Sequence, residues 1–238
     1  GTTKRLVEVE IVSLDAGYII GDSGLILNTK NGGINWIQQV SGSTNNLTSS
    51  SIVNDSTGYI CGLNKTLLKT INGGNNWNSL TFPDSLNFYS IYFINSSTGW
   101  LSAENPKVFL EDSAFIIFKT TNGGGNWVKQ FNSYREYTPF QQLQFTDSLN
   151  GWMVLHSNAI DYSSIYKTTD GGNNWTEYPL GNSGKWSIYF INERKGWAAG
   201  PMNRISRTTN GGVNWVTSLA LPASNDYYSI CFADSLTG

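Results

Sequence analysis

The chain is 238 residues long, with 13% charged residues, a formal net charge of −2 and two cysteines. Globular domains ordinarily carry about 25% charged residues, so Asn, Ser, Thr and Gly must cover much of this surface. Its 15 Lys and Arg residues are scattered, which excludes the basic stripe of a nucleic-acid-binding surface, and no run approaches the ~18 apolar residues of a membrane-inserted helix.

Two short anchors alternate along the chain. Gly17-Tyr18 precedes Asn31-Gly-Gly-Ile-Asn-Trp36, Gly58-Tyr59 precedes Asn72-Gly-Gly-Asn-Asn-Trp77, and Gly99-Trp100 precedes Asn122-Gly-Gly-Gly-Asn-Trp127. Gly151-Trp152 then precedes Asp170-Gly-Gly-Asn-Asn-Trp175, and Gly196-Trp197 precedes Asn210-Gly-Gly-Val-Asn-Trp215. A sixth copy of the first anchor begins at Phe232-Ala-Asp-Ser-Leu-Thr-Gly238. The box tryptophans are spaced by 41, 50, 48 and 40 residues, a period that marks a repeat architecture. Within the third repeat, Tyr89–Phe93, Trp100–Ala103, Phe115–Thr120 and Trp127–Phe131 read as four strands, A to D, rich in aromatic and β-branched residues and separated by Gly, Asn and Ser turns. Four short strands per period, with no helical periodicity, predict an all-β fold: a β-propeller of four-stranded antiparallel blades. The blades are expected at 5–40, 46–82, 87–132, 139–179 and 184–220, with the start of another at 226–238, together forming one incomplete propeller. Such an arc fits part of a six- to eight-bladed ring, whose remaining blades or domains would be contributed by a longer parent chain.

The Gly-Gly pairs are expected in tight C–D turns, where glycine accepts positive φ without steric cost. The preceding Asn or Asp would close an Asx-type turn on an N–H two residues on, and the tryptophan would pack between blades. On that reading Asn31, Trp36, Asn72, Trp77, Asn122, Trp127, Asp170, Trp175, Asn210 and Trp215 are structural, and Trp175→Ala would cost about 3–5 kcal/mol. Cys61 and Cys231 both lie in apolar strand contexts and are expected to be buried, small hydrophobic residues. No spacing suggests a disulfide, a metal site or a cofactor site.

Thr168-Thr-Asp170-Gly-Gly172-Asn-Asn174-Trp175 resembles the Asp-box of sialidase-like and sortilin-like propellers. It is closer still to the repeats of the photosystem II assembly-factor family, which read Gly-Trp…Lys-Thr-Thr-Asp-Gly-Gly-x-x-Trp. The resemblance covers essentially the whole chain and implies a non-catalytic scaffold or assembly module in an extracytoplasmic compartment. Four of the five boxes carry Asn in place of Asp, which removes the carboxylates that a calcium loop requires.

In a propeller the A–B and C–D turns share one face, and the B–C and D–A connections share the other. The boxes are therefore expected opposite the binding face. Gly58 and Thr70 lie 12 positions apart, Gly99 and Thr120 21, and Gly151 and Thr168 17, so the B–C connections of repeats three and four are enlarged. Long connections in compact domains are more often functional than decorative. The candidate binding residues there are Glu104 and Asp112 in the third repeat, and His156, Asp161 and Tyr162 in the fourth. Tyr134, Arg135 and Tyr137 join them from the intervening D–A connection, the densest aromatic and charged cluster of the chain. Aromatic and Arg residues are the types enriched where partners bind. A protein or glycan partner is expected at this face. The competing reading is a glycoside hydrolase using two carboxylates such as Asp112 and Asp161, but no arginine cluster like that of the sialidases accompanies them.

Overall fold

The computed structural model describes residues 1–105, 115–133, 142–157, 162–179, 187–201, 204–219, 226–232, 234 and 236–238. The first blade comprises β1 (Leu6–Ile11), β2 (Gly17–Gly21), β3 (Leu25–Thr29) and β4 (Ile37–Gln39). The second comprises β5 (Leu47–Ile52), β6 (Gly58–Gly62), β7 (Thr66–Thr70) and β8 (Asn78–Ser79), and the third β9 (Asn87–Phe93), β10 (Gly99–Glu104), β11 (Phe115–Thr120) and β12 (Val128–Ser133). The fourth is built of β13 (Gln142–Phe145), β14 (Gly151–Ser157), β15 (Tyr162–Thr168) and β16 (Thr176–Pro179). The fifth is built of β17 (Ser187–Phe190), β18 (Gly196–Ala199), β19 (Arg204–Thr208) and β20 (Val216–Leu219). Each set forms one antiparallel meander in the order A-B-C-D, the four-stranded blade expected from the repeat. Contacts divide the chain into two compact units, Gly1–Asn132 with three blades and Ser133–Gly238 with two blades and the 226–238 segment.

Within each unit one composite joint recurs between consecutive blades, and it unites the two anchors. The last residue of strand A pairs with the anchor glycine across the sheet, as in Phe93↔Gly99 and Phe190↔Gly196. Because that glycine has no side chain, the phenyl ring lies flat over it, and a Cβ at Gly99 or Gly196 would come within 2.5 or 2.4 Å of the ring. On its other face the ring stacks on the strand-B aromatic of the preceding blade. Tyr59–Phe93 centroids are 3.5 Å apart, and Trp152–Phe190 centroids 3.9 Å. The box tryptophan of the ring's own blade closes the edge in a T-shaped contact, Trp127 on Phe93 at 6.0 Å and Trp215 on Phe190 at 5.9 Å. The 226–238 segment repeats the arrangement, with Phe232 on Trp197 at 3.8 Å and Gly238 against the Phe232 ring.

The two anchors differ in burial. Tyr59, Trp100 and Trp152 of the strand-B anchors are fully buried. Of the box tryptophans only Trp77 is buried, while Trp36, Trp127, Trp175 and Trp215 are half-buried. Truncation is therefore expected to cost more at Trp152 than at Trp175.

A second element of the joint runs along strand A. Side chains there accept hydrogen bonds from alternate backbone amides of the next strand A. Glu8 Oε2 takes Ser50 N at 2.6 Å and Glu10 Oε1 takes Ile52 N at 3.0 Å. Ser49 and Ser51 Oγ take the amides of Ile91 and Phe93, and Gln142 and Gln144 Oε1 take those of Ile188 and Phe190. Ser187 Oγ takes Ile230 N at 3.2 Å. Strand A is an edge strand of every sheet, so half of its amides lack an intrablade partner, and these side chains satisfy them.

The first of these joints is expected to be sensitive to pH. Ser50 Oγ lies 3.0 Å from Glu8 Oε2 and 2.9 Å from Glu10 Oε2, yet its single hydrogen can serve only one of them. A proton on the other carboxyl completes the set. Burial between the strands, reinforced by the Glu10 charge, raises the Glu8 pKa to about 7, against the lowering effect of Ser50 N–H. Glu10 is raised in the same direction by burial. A carboxyl whose folded pKa exceeds its unfolded value binds more protons when folded, so stability falls as pH rises between the two values. Melting temperature is expected to fall between pH 5 and pH 8, and Glu8→Gln should flatten that dependence. A wild-type melting temperature that rises across this interval would contradict the assignment.

Cys61 is buried in β6, as expected, and burial pushes its thiol up to about 12. Cys231 is exposed, contrary to expectation. It lies in the 226–232 segment, whose Phe232 packs on Trp197 of the fifth blade.

Candidate functional site

The box turns are built alike in all five blades. The strand-C threonine that precedes each box accepts the N–H of the second glycine: Gly33 to Thr29, Gly74 to Thr70, Gly124 to Thr120, Gly172 to Thr168 and Gly212 to Thr208, at 2.8–3.0 Å. The same hydroxyl donates to the Asn or Asp side chain two residues on, as Thr168 does to Asp170 at 2.8 Å. That carboxamide or carboxylate accepts an N–H four residues on rather than two, for example Asn35 N to Asn31 and Asn174 N to Asp170, both 2.9 Å. The expected Asx closure is thus one residue pair too short. The shorter bond, to the N–H two residues on, belongs to threonine, a residue the motif reading passed over. Both glycines take positive φ, +73° and +95° at Gly171 and Gly172, where a side chain would be strained.

The first glycine N–H of each box donates to the A–B turn of its own blade, from Gly32 to Asp15 O, Gly73 to Ser56 O, Gly123 to Ser97 O, Gly171 to Leu149 O and Gly211 to Arg194 O, at 2.8–2.9 Å. Boxes and A–B turns therefore share one face, as expected. The preceding blade also reaches this glycine. Trp152 Nε1 donates to Gly211 O at 2.9 Å, and Lys69 Nζ to Gly123 O at 3.0 Å. Lys69, Lys119 and Lys167 lie over the rings of Tyr59, Trp100 and Trp152 at 5.1–5.5 Å, a cation–π contact. The threonine hydroxyl and both glycine N–H groups of every box are thereby hydrogen-bonded within the fold. At Asp170 the Asn174 backbone N–H, then its side-chain amide, hold the carboxylate down at about 2. It stays ionised and closes its turn.

At the opposite end of the first two blades, the B–C turns and the D–A connections that follow them are short and pinned to one another. Ser23 N donates to Asn46 Oδ1 and Asn64 N to Asn87 Oδ1, so an Asn at the start of strand A holds the preceding blade's B–C turn. All three non-glycine residues with positive φ among the described residues, Ser23, Asn64 and Lys65, sit in these turns. A cavity of about 360 Å³ opens there between Ser43, Asn45, Asn64, Lys65, Leu67 and Phe82. Its amides are already engaged, Asn64 Nδ2 with Asn45 Oδ1 and Asn45 Nδ2 with Thr66 Oγ1.

The enlarged connections differ in kind. In the fourth blade the extra length is mostly strand. β14 and β15 have seven residues each where β6 and β7 have five, so His156 and Tyr162, expected in a loop, are strand residues near the tip of the sheet. His156 pairs with Ser163 and Tyr162 with Ser157. In the third blade β10 and β11 have six residues each, and most of the added length lies between them. Glu104 ends β10, where its Oε2 accepts the Tyr89 hydroxyl at 2.7 Å. Burial first, then the hydrogen bond and charge of Glu104, raise the Tyr89 pKa. Asp112, Tyr134, Arg135, Tyr137 and Asp161 lie outside the described residues. Among the described residues no group of three or more His, Cys, Asp or Glu side chains is close enough to hold a metal ion, and no helix is long and apolar enough to cross a membrane.

The family model of the photosystem II assembly factor YCF48 matches residues 1–133 and 37–178. The chain belongs to this family. Among solved structures it is similar to YCF48 from Cyanidioschyzon merolae, at 16% identity and a TM-score of 0.52, over 91% of this chain and 85% of that one. A YCF48 structure bound to a D1 peptide is 16% identical, with a TM-score of 0.50 over 91% of this chain and 81% of that one. The GH74 enzyme of Niastella koreensis is 14% identical, with a TM-score of 0.71 over 90% of this chain but only 38% of the enzyme. At these identities the structural likeness shows the propeller fold. No curated protein sequence matches the chain.

Proposed function

We propose that the chain is a non-catalytic binding module of the assembly-factor type, engaging a protein partner through its B–C and D–A connections. One observation supports this reading: in every box the threonine hydroxyl, the Asn or Asp side-chain oxygen and both glycine N–H groups are hydrogen-bonded within the fold, so we read the repeated motif as structural. Recognition then falls to the opposite face, where the connections vary in length from blade to blade and where loops positioned by a rigid scaffold ordinarily carry function. Family membership supports a peptide ligand, since a YCF48 structure holds a D1 peptide. The Tyr134–Tyr137 cluster has the aromatic and Arg character of a binding hot spot.

Calorimetric titration of the intact chain with D1 peptide, an array of unrelated extended peptides, and xyloglucan oligosaccharides tests the proposal. Peptide binding is expected, weakened about tenfold or more in Tyr134→Ala/Arg135→Ala with no change in melting temperature. Equal affinity in the variant would remove the site from this face. Hydrolysis of xyloglucan, or binding of no peptide, would overturn the binding-module reading.

A further inference from the structure

The cavity of about 360 Å³ beside the second blade's B–C turn lies within the first unit. Its walls are Ser43 and Asn45 of the D–A connection, Asn64 and Lys65 of the B–C turn, and Thr81 and Phe82 beyond β8. Its floor is apolar, with Leu67 1% and Phe82 6% exposed. The walls are fixed by their own hydrogen bonds: Asn64 Nδ2 to Asn45 Oδ1, Asn45 Nδ2 to Thr66 Oγ1, and Leu80 N to Leu67 O. Lys65, Ser79 and Thr81 also line the cavity, and their side chains have no hydrogen-bond or ion-pair partner among the described residues. Lys65 is the only charged residue among the described residues of the lining.

The backbone that places Lys65 there is strained. Thr66 N returns to Leu63 O at 3.2 Å, and Asn64 and Lys65 between them have φ of +53° and +52°. Positive φ at both central residues is the type I′ pattern, whose favoured pair is Asn-Gly. The first blade makes the same turn with Ser23 and Gly24, at φ of +54° and +70°. The two turns are tied alike: Ser23 N to Asn46 Oδ1 and Gly24 N to Asn45 O in one, Asn64 N to Asn87 Oδ1 and Lys65 N to Leu86 O in the other. Glycine is the residue this geometry asks for, yet the second blade carries lysine. Backbone strain of this kind concentrates where a side chain serves function.

We propose that the cavity takes a carboxylate group of a bound peptide, with Lys65 as counter-charge and the Ser79 and Thr81 hydroxyls as donors. The apolar floor then receives the side chain beside that carboxylate. The proposal rests on the peptide-binding reading and adds to it a contact in the first unit. One ammonium balances one negative charge, whereas a doubly charged phosphate is ordinarily met by the bidentate fork of an Arg, and the described lining holds none.

Three short peptides of glycine and leucine, titrated calorimetrically into the intact chain, test this. One is blocked at both ends with an aspartate beside the leucine, one ends in a free carboxylate after the leucine, and one is blocked and uncharged. At least one carboxylate peptide should bind about tenfold or more tightly than the uncharged one, the worth of a charge-assisted hydrogen bond, and which of them binds names the source of the carboxylate. Lys65→Arg should keep this preference. Lys65→Gly should lose it while melting no lower than the wild type, because glycine relieves the turn. A lower melting temperature would show that the lysine serves the fold, and would overturn the proposal. Equal binding of all three peptides, or a preference that survives in Lys65→Gly, would overturn it too. Binding of the arrayed peptides but of neither carboxylate peptide would remove this site and leave the binding-module reading standing, whereas binding of no peptide at all would remove both.

Discussion

Trp152→Ala is expected to destabilise the protein by about 4 kcal/mol, the usual cost of removing a large aromatic side chain from a core. Trp152 is fully buried in β14, stacks on Phe190 at 3.9 Å, donates to Gly211 O at 2.9 Å and lies beneath Lys167 at 5.5 Å. Truncation removes the stack, leaves a cavity, and strips the next box of one of its ties. Trp175→Ala should cost about half as much, because Trp175 is half-buried and its Nε1 bonds Gly172 O within its own turn. Equilibrium denaturation in urea measures both. Equal losses, or a larger loss at Trp175, would contradict the assignment of the strand-B aromatic as the principal anchor.

Gly196→Ala should cost about 3 kcal/mol although it adds a single carbon. Gly196 has no positive φ, so the penalty is not conformational. The new Cβ would meet the Phe190 ring at 2.4 Å, and that ring cannot retreat because Trp152 stacks on its far side. Gly42→Ala is the matched control. A Cβ there meets nothing within 4 Å, and the residue has φ of +71°, so its cost of about 1 kcal/mol comes from backbone strain alone. A Gly196→Ala protein as stable as the Gly42→Ala protein would show that the ring is not held as described.

The repeat, the four-strand blade and the placement of the boxes in C–D turns were legible because each rests on residue types that geometry restricts. Only glycine fits under Phe190 or supplies the positive φ of Gly171 and Gly172, and these constraints print the same letters in every copy. The strand-A acceptors were not legible. Glu8, Ser49 and Gln142 do the same work with different side chains, and their partners lie more than 40 residues further along the chain, so neither residue type nor local pattern announces them. Thr168 and its equivalents were visible as part of the repeat, but their hydroxyl's role follows only from the turn's actual bonds. The enlarged B–C connections were counted from the spacing of anchors, which does not distinguish a longer strand from a longer loop. His156 and Tyr162 fall on the strand side of that ambiguity. Cys231 looked like Cys61 because burial was inferred from local context, whereas it depends on what packs over each segment.

Both anchors are parts of one joint, and that joint is the central claim of the fold described above. A double-mutant cycle between Trp152 and Phe190, using Trp152→Ala, Phe190→Leu and the double variant in urea denaturation, tests this most directly. The joint predicts a coupling energy of about 1–2 kcal/mol, since either change alone already forfeits the stack. Strictly additive losses would mean that the two rings stabilise their blades independently, and would contradict the composite joint.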